Sequence, residues 1–535
     1  MRITFILFFS LLLSIALKAQ LPTAQQIASK ITIGWNLGNT LEATWVPRNS
    51  FSTTTQAAID SVKAAGFNTV RLPVAWFYHS DTVTSVIDEA WLAHVKKVVD
   101  YCINDSLYVI INAHWDKGWL ENRVNTANKD IVNERQQKYW TQIANYFNEY
   151  DEHLLFAGAN EPNVHDAAGM SILLSYHQTF IDAVRATGGN NSSRTLVIQG
   201  PSTDISNTDK YMNTLPEDEI ENRLIVEVHY YTPWNFCGLN GDASWGKMFY
   251  YWGRYNHSTT DVQRNATWGE ESEMEKYLGL MKTKFIDKGI PVIIGEYGAF
   301  RRKLSPPSDQ ALHNASIAYY YKYFVKSAMD KGMITYCWDT GGIFNFTTGK
   351  VNDKDVLDAI MVGAGIITPA SYTLNTAVNG SGSISISPDL STYIDGSVVT
   401  VTAMAGANAK FESWSSDLEG STNPATVIMK ANHSIIANFT DTSTGINNLN
   451  STEKAKVYPN PFSTACTIML NNLDEINHIS VFDLLGQKLE VISHLDLKSA
   501  MTFGASLKSG TYIVQVYRTN STESYKIVKN ELLNN

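Results

Sequence analysis

The chain has 535 residues, which at about 150 residues per domain predicts roughly three to four domains. Hydrophobic residues make up 44% and charged residues 18%, a balance that excludes a mostly disordered chain. The net charge of −10 comes without a basic run, which argues against nucleic acid as a partner, and the 4 cysteines form no CxxC pair, which argues against a zinc site or a disulfide scaffold.

The N-terminal segment 1–20 has the features of a secretory signal peptide. Arg2 gives it a positive start, residues 3–17 are almost entirely apolar, and Ala19 offers a small residue for cleavage. The apolar run is shorter than the roughly 20 residues that a membrane-spanning helix needs, and no later run is long enough. We therefore predict export of the chain and exclude this segment from the fold.

Between residues 21 and 368, short apolar segments alternate with longer amphipathic ones. The predicted strands are 31–37, 68–73, 108–114, 154–161, 194–200, 224–231, 291–298 and 333–340. The predicted helices are 55–65, 89–104, 134–150, 170–187, 271–288 and 311–331. Strands that are apolar along most of their length, each followed by a helix, indicate a parallel sheet covered by helices. The pattern predicts an α/β fold, a (β/α)8 TIM barrel, with a doubly wound open sheet as the alternative.

After residue 370 the sequence becomes richer in Ser, Thr, Gly and Asn and loses its helical periodicity. Short alternating runs predict a small all-β domain at 371–440. A Ser/Thr/Asn-rich stretch predicts a linker at 441–452, and turn-forming residues at 459–461 and 508–510 predict a second all-β domain at 453–535.

Two glutamates end predicted buried strands, Glu161 the fourth and Glu296 the seventh. Because the C-terminal ends of barrel strands form one face, we expect both side chains over one cavity. Paired carboxylates in a shared cleft are what cleavage of a glycosidic bond requires, although a single such glutamate equally well caps a helix or pairs with an arginine. Polar or aromatic residues at other strand ends favour the shared pocket: Arg71, His114, His229, Tyr231 and Trp338.

The region from about residue 25 to 365 resembles glycoside hydrolase family 5, whose members are (β/α)8 retaining glycosidases. The resemblance rests on 34–42 (GWNLGNTLE), 160–162 (NEP), 229–231 (HYY), 295–297 (GEY) and Trp338. It implies that Glu161 is the catalytic acid/base and Glu296 the nucleophile. The resemblance further implies that Arg71, His114, Asn160, His229, Tyr231 and Trp338 bind substrate. The predicted substrate-binding set adds Asn36, Trp115 and Trp234.

The resemblance also implies a role for individual residues of this set. Arg71 and Tyr231 are expected to hold the nucleophile ionised through opposite charge and hydrogen bonding, whereas Glu161 is expected to begin protonated. Asn160 is expected to hold the 2-hydroxyl of the reacting sugar, and Trp338 to stack beneath that sugar. The mechanism requires no metal and no organic cofactor.

Two aromatic regions extend the predicted cleft. Trp115 stands beside His114 where similar family members often carry a second histidine, so its role stays open; Trp115 and Trp119 are either sugar platforms or packing beneath the loop. The segment 232–269 is long and rich in aromatic residues. We expect about half of its rings, with Trp234 among the candidates, to line an extended glycan cleft and the rest to form a core of the loop.

The two C-terminal domains resemble known modules. On 380–382 (GSG), 396–402 (GSVVTVT), 411–414 (FESW) and 437–439 (ANF), residues 372–439 resemble the divergent B-repeat module of bacterial surface proteins. Trp414 is expected in the core of this domain rather than on a carbohydrate. Residues 453–535 resemble the C-terminal sorting domain of type IX secretion, on 457–462 (VYPNPF), 481–489 (VFDLLGQKL) and 507–513 (LKSGTYI). This implies export across the outer membrane; a second carbohydrate-binding module is the alternative.

Together these observations predict a secreted, retaining endo-β-1,4-glucanase that acts on cellulose, mixed-linkage glucan or xyloglucan. The alternatives are an endo-β-mannanase of the same fold and a non-catalytic carbohydrate-binding surface protein, against which the presence of both glutamates argues. The predicted partners are β-glucan polysaccharide and the type IX secretion machinery. We expect a monomer without a transmembrane segment.

Overall fold

The computed structural model describes residues 20–51, 53–442 and 455–531. Nearly all of the predicted signal peptide and most of the predicted linker lie outside these ranges. The chain forms two compact units: the first extends to Ser371 and includes Ile394–Val398, and the second comprises Tyr372–Tyr393 and the residues from Val399 onward.

Eight parallel strands close into a barrel in the first unit, each hydrogen-bonded to the next along the chain and the last to the first. They are β1 (Gly34–Leu37), β2 (Thr69–Leu72), β3 (Tyr108–Asn112), β4 (Leu154–Ala157), β5 (Leu196–Gln199), β6 (Leu224–Tyr230), β7 (Val292–Tyr297) and β8 (Ile334–Asp339). Each lies within its predicted range. The (β/α)8 barrel is therefore confirmed, and the open sheet is excluded.

Helices surround the barrel, and most follow the predicted amphipathic segments. They are α1 (Ala24–Ala28), α2 (Gln56–Ala65), α3 (Glu89–Asn104), α4 (Lys129–Tyr146), α5 (Ala167–Ala186), α6 (Ile205–Tyr211), α7 (Trp234–Cys237), α8 (Glu271–Lys284), α9 (Gln310–Asp330) and α10 (Lys354–Gly363). Single 3₁₀ turns lie at Asp116–Gly118, Glu121–Arg123, Gly189–Ser192, Pro201–Thr203, Val262–Arg264 and Ile286–Lys288. No helix among the described residues is long and apolar enough to cross a membrane.

The barrel interior is apolar at one end and polar at the other. On β6, Ile225 belongs to an apolar cluster inside the barrel, which α1 covers with Ala24 and Ile27. Because strand side chains alternate, Glu227 and His229 follow on the same face, while Val226 and Val228 belong to the larger core shared with the helices. The polar layer therefore lies at the C-terminal ends of the strands.

A β-bulge at Gly295 interrupts the alternation on β7. Val228 pairs with Ile294, but the next residue, His229, pairs with Glu296. The extra residue turns Glu296 toward the interior instead of outward. A Cβ on Gly295 would lie 1.8 Å from Glu227 Oε1, so only glycine leaves room for that carboxylate.

The second unit is built from β-strands, as predicted for both C-terminal domains. The strands from residue 371 onward are Ser371–Tyr372, Leu374–Asn379, Gly382–Ser387, Tyr393–Ile394, Val398–Ala405, Ala409–Ser416, Ala425–Ile428, His433–Asp441, Lys456–Tyr458, Cys466–Met469, Ile476–Asp483, Lys488–Ser493, Ala500–Phe503, Gly510–Arg518 and Thr522–Lys529; 3₁₀ turns lie at Leu473–Glu475 and His494–Asp496. Trp414 is buried in a core of this unit and donates its indole N–H to the Thr422 carbonyl, as a packing residue would.

Candidate active site

Glu296 lies in the polar layer of the barrel and is only 5% exposed. Arg71, from β2, donates from Nη1 to Glu296 Oε1 over 2.9 Å. Tyr231, which follows β6, donates its hydroxyl to Glu296 Oε2 over 3.1 Å. Both oxygens of this carboxylate are thus held in place, one by a side chain from β2 and the other by the residue that follows β6.

Arg71 is fully buried and connects several other groups. Its Nη2 donates to Asn160 Oδ1 over 2.7 Å, and its Nη1 also donates to Asn36 Oδ1 over 3.0 Å. Asn36 in turn donates from Nδ2 to the Gly295 carbonyl over 2.9 Å and has no exposed surface. Asn36 therefore supports Arg71 from behind, and it exposes no surface for the substrate contact that the sequence predicts.

Glu161 occupies the other side of the site. It lies in the loop after β4, and 47% of its side chain is exposed. Its Oε1 is 2.7 Å from His229 Nδ1, and the same nitrogen lies 3.7 Å from Glu296 Oε2. His229 therefore stands between the two carboxylates.

Glu227 is a buried carboxylate that the sequence analysis missed. Its Oε1 lies 2.9 Å from Arg71 Nε and 3.2 Å from His229 Nε2, and its Oε2 accepts a hydrogen bond of 2.6 Å from Gln199. It thereby contacts the partner of each of the other two glutamates, Arg71 for Glu296 and His229 for Glu161. The alternation of β6 was the available signal, because residues 227 and 229 share a face of the strand.

Burial and charge set the protonation of this cluster. Burial opposes a charged imidazole, but the negative charge of Glu296 and the hydrogen bonds with Glu161 and Glu227 raise the pKa of His229 to about 10. Although burial alone would raise it, the pKa of Glu161 is lowered by the hydrogen bond and charge of His229. Burial raises the pKa of Glu296, and the positive charges of His229 and Arg71 offset only part of this rise.

These shifts differ from the expectation that Glu161 begins protonated. The directions of the two pKa shifts favour a proton on His229, at one end of the 2.7 Å hydrogen bond to Glu161. Moving it along that bond makes Glu161 a neutral acid without changing the total charge. The three groups therefore titrate as one unit rather than as separate residues.

The other predicted residues lie around this cluster. The ring of His114 is parallel to that of Trp338, with the ring centres 5.8 Å apart. Burial and the positive charges of Arg71 and His229 hold the pKa of His114 well below its usual value, so His114 is neutral. Asn112, another residue that the sequence analysis missed, donates to Asn160 Oδ1 over 3.5 Å and lies 3.2 Å from His114 Nδ1.

The aromatic residues of the loops divide into two groups. Trp119 is buried against Tyr139, which excludes it as a sugar platform, whereas Trp115 is exposed. In segment 232–269 the buried rings are Phe236, Phe249, Tyr251 and Trp252, and the exposed ones are Trp234, Trp245 and Trp268. Trp234 packs edge-on against Tyr231, with ring centres 6.2 Å apart, and so lies beside the cluster.

Two groups among the described residues have ligand atoms close enough together to hold a metal ion. One is the surface cluster Asp151, Glu152 and His153; the other is Glu161, His229 and Glu296, whose ligand atoms lie within 4.8 Å of one another. In the second group the raised pKa of His229 favours the imidazolium, which has no free lone pair to offer a metal ion.

Comparison with known proteins identifies three regions of the chain. Residues 28–342 match the family described as cellulase (glycosyl hydrolase family 5). Residues 372–443 match the divergent InlB B-repeat domain, and residues 456–530 match the secretion system C-terminal sorting domain.

Individual relatives cover the barrel. The chain is 33% identical over 376 residues to endoglucanase A of Paenibacillus barcinonensis, covering 64% of this chain and 90% of the relative. It is 36% identical over 366 residues to a xyloglucan-specific endo-β-1,4-glucanase of Bacteroides ovatus, covering 64% and 70%. A solved xyloglucan-specific β-1,4-glucanase from a ruminal metagenomic library, in complex with XXLG, is 44% identical, with a TM-score of 0.59 over 64% of this chain and 97% of that chain.

Proposed function

The chain belongs to glycosyl hydrolase family 5, and we propose that it is a secreted, retaining endo-β-1,4-glucanase with Glu296 as nucleophile and Glu161 as acid/base. Its C-terminal sorting domain directs it to the outside or the surface of the cell by type IX secretion. The barrel supplies the chemistry, and the loops at the C-terminal ends of its strands supply the contacts to a glycan chain.

The observation that carries this proposal is the spacing of the two carboxylates. One oxygen of Glu161 and one oxygen of Glu296 lie within 4.8 Å of each other. Retaining glycosidases keep their carboxyl groups about 5–5.5 Å apart, whereas inverting ones need roughly 6.5–9.5 Å to admit a water molecule. The short separation supports double displacement.

In the first step, a carboxylate oxygen of Glu296 attacks the anomeric carbon while the bond to the leaving oxygen breaks. That oxygen takes the proton of Glu161, which received it from His229 Nδ1. In the second step, Glu161 removes a proton from water, and the water oxygen displaces Glu296 from the anomeric carbon. Arg71 and Tyr231 stabilise the carboxylate as it is released.

We propose xyloglucan as the preferred β-1,4-glucan. Two of the relatives described above carry that specificity in their names. A side cavity of about 300 Å³ also adjoins Tyr231 and Trp338 and is lined by Phe300, Arg301 and Asp353. A cavity beside the ring that stacks the reacting sugar offers room and polar groups for a branch on the glucan backbone.

The test is the release of reducing ends by the purified protein from carboxymethyl cellulose, barley β-glucan, xyloglucan, glucomannan and xylan, with Glu296→Ala as the control. We expect the fastest release from xyloglucan and none in the variant. Anomeric proton NMR of the first products should show the β-anomer. Fastest release from glucomannan would favour the mannanase, and no release by folded protein would favour the binding protein.

A further inference from the structure

Glu121 is a buried carboxyl group beside the acid/base residue, and nothing in the sequence singled it out. It lies in the 3₁₀ turn Glu121–Arg123, which belongs to the long loop between β3 and α4. It is only 2% exposed, although glutamate is seldom buried in proteins without a partner.

Glu121 binds the backbone on both sides of Pro162. Its side-chain Oε1 accepts a hydrogen bond of 3.1 Å from the N–H of Glu161. Its own carbonyl accepts one of 3.0 Å from the N–H of Asn163. The Pro162 carbonyl accepts a third, of 2.7 Å, from the N–H of Ser202, so the loop that carries Glu161 is fastened at consecutive residues.

The carboxyl group of Glu121 makes this contact as a neutral group. Burial raises its pKa to about 8, while the hydrogen bond from the Glu161 N–H offsets part of the rise and the negative charges of Glu161 and Asp116 add to it. Its second oxygen, Oε2, has no hydrogen-bond partner among the described side chains and backbone groups. A neutral acceptor holds the backbone of Glu161 without placing another negative charge beside it.

We propose that Glu121 is a positioning residue for the acid/base step, because it fixes the backbone from which Glu161 reaches the leaving oxygen. The inference rests on the proposed role of Glu161. Displacement of a catalytic group by about 1 Å costs up to roughly 100-fold in rate, so loss of this anchor should slow proton transfer. The proposed nucleophile, Glu296, lies on β7 and not in these loops, so it should keep its position.

The test compares Glu121→Met, which keeps the length of the side chain but removes the acceptor, with Glu121→Gln, which retains an acceptor oxygen and the neutral charge. The substrates are xyloglucan, whose leaving group needs a proton, and 2,4-dinitrophenyl β-cellobioside, whose leaving group does not. We expect Glu121→Met to lower kcat on xyloglucan roughly 10- to 100-fold with little change in KM. Its kcat/KM on the aryl glycoside, and both values for Glu121→Gln, should stay within about threefold of wild type.

The matched control is Asp116→Asn in the same loop. Asp116 is also a buried carboxyl group, but it accepts from the backbone of Phe77 and Tyr78 and not from the loop of Glu161. This variant should show no preference between the two substrates. Thermal unfolding of every variant reports on folding, and Glu121→Ala replaces Glu121→Met if the latter does not fold.

Two results overturn the inference: equal losses on both substrates in Glu121→Met, or a loss of more than about tenfold on xyloglucan in Glu121→Gln. Wild type and Glu161→Ala are measured alongside. If wild type hydrolyses neither substrate, or Glu161→Ala does not discriminate between them, the proposed function fails. If both behave as expected and Glu121→Met does not discriminate, only the inference about Glu121 fails.

Discussion

Glu296 belongs to a strand of the barrel, whereas Glu161 lies in a loop, four residues beyond Ala157 at the end of β4. Side chains that are themselves held by the barrel, Arg71 and Tyr231, bind both oxygens of Glu296. Glu161 is half exposed, and its carboxylate is bound on one oxygen, by His229. The two carboxylates therefore differ in rigidity, in exposure and in the kind of partner.

The difference corresponds to the role proposed for each group. A nucleophile must be held in a fixed orientation toward one carbon atom, and a buried strand with a fixed arginine provides that orientation. An acid/base must lose a proton and regain it in every cycle, which requires access to water and a partner that can hold the proton. His229 is such a partner, because a 2.7 Å hydrogen bond joins it to Glu161 and its pKa is raised to about 10 by the surrounding carboxylates in spite of its burial.

The largest expected effect comes from removing Glu296, the carboxylate that the barrel holds rigidly. Glu296→Ala should lower hydrolysis of xyloglucan at least about 10,000-fold, because no covalent intermediate forms. The barrel should still unfold cooperatively on heating, since Arg71 retains its ion pair with Glu227. With an activated aryl glycoside and sodium azide, the product should be the α-glycosyl azide, identified by NMR, because azide enters from the side that Glu296 left. A β-azide would contradict the assignment of the nucleophile.

Removal of Glu161, the exposed carboxylate, should have a smaller effect on activity, and one that depends on the leaving group of the substrate. Glu161→Ala should slow xyloglucan hydrolysis about 100- to 10,000-fold, the usual contribution of a general acid. The kcat/KM on 2,4-dinitrophenyl β-cellobioside should change little, because that leaving group departs without a proton. Azide should now give the β-glycosyl azide, the opposite anomer to that of the first variant. Equal losses on both substrates would contradict the acid/base role.

Much of the fold was predictable because its signals are local. A buried parallel strand is a short apolar run, and all eight barrel strands lie within their predicted ranges. The largest error in their length concerns β4, which ends at Ala157 rather than at Glu161. Gly158 and Ala159 continue the apolar run, but the N–H of Ala159 donates to the side chain of Gln199 instead of to a strand backbone. That contact spans 40 residues and has no local signature.

The site was predictable only where its residues stand at strand ends. Glu296, Arg71 and His229 follow from the rule that C-terminal strand ends meet on one face. Glu227 was also within reach, since it shares a face of β6 with His229. Glu121 was not, because its contact with Glu161 depends on the path of a loop that the sequence pattern does not fix.

Glu227 connects the two catalytic carboxylates, because it contacts both Arg71, the partner of Glu296, and His229, the partner of Glu161. Glu227→Gln removes a negative charge from His229, so the pKa of His229 should fall and the proton should be lost at lower pH. The same charge raises the pKa of Glu296, so that pKa should fall as well. Both limbs of the pH profile of kcat/KM on xyloglucan should therefore move to lower pH, by about one unit, since a nearby opposite charge shifts a pKa by roughly one to three units.

The control for this shift is Glu270→Gln, which removes the carboxylate beside His257, another pair joined over 2.7 Å. This pair has no contact with Glu161 or Glu296, so the pH profile should stay as in wild type. Limbs that remain in place in Glu227→Gln, or that move to higher pH, would show that Glu227 does not set the charge of His229.

The smallest effect should come from Trp234, at the exposed edge of the site. Trp234 is 47% exposed and packs edge-on against Tyr231, the hydrogen-bond partner of Glu296. It is therefore placed to contact the bound glycan beside Glu296. Trp234→Ala should raise KM for xyloglucan about 2- to 10-fold, the value of one aromatic contact, and leave kcat nearly unchanged. Tyr146→Ala, at the end of α4, removes a ring of similar exposure, 40%, near the opposite end of the barrel and should not change KM. A fall in kcat rather than a rise in KM would mean that Trp234 acts through Tyr231 on the nucleophile. The set of residues that holds Glu296 in place would then reach the protein surface.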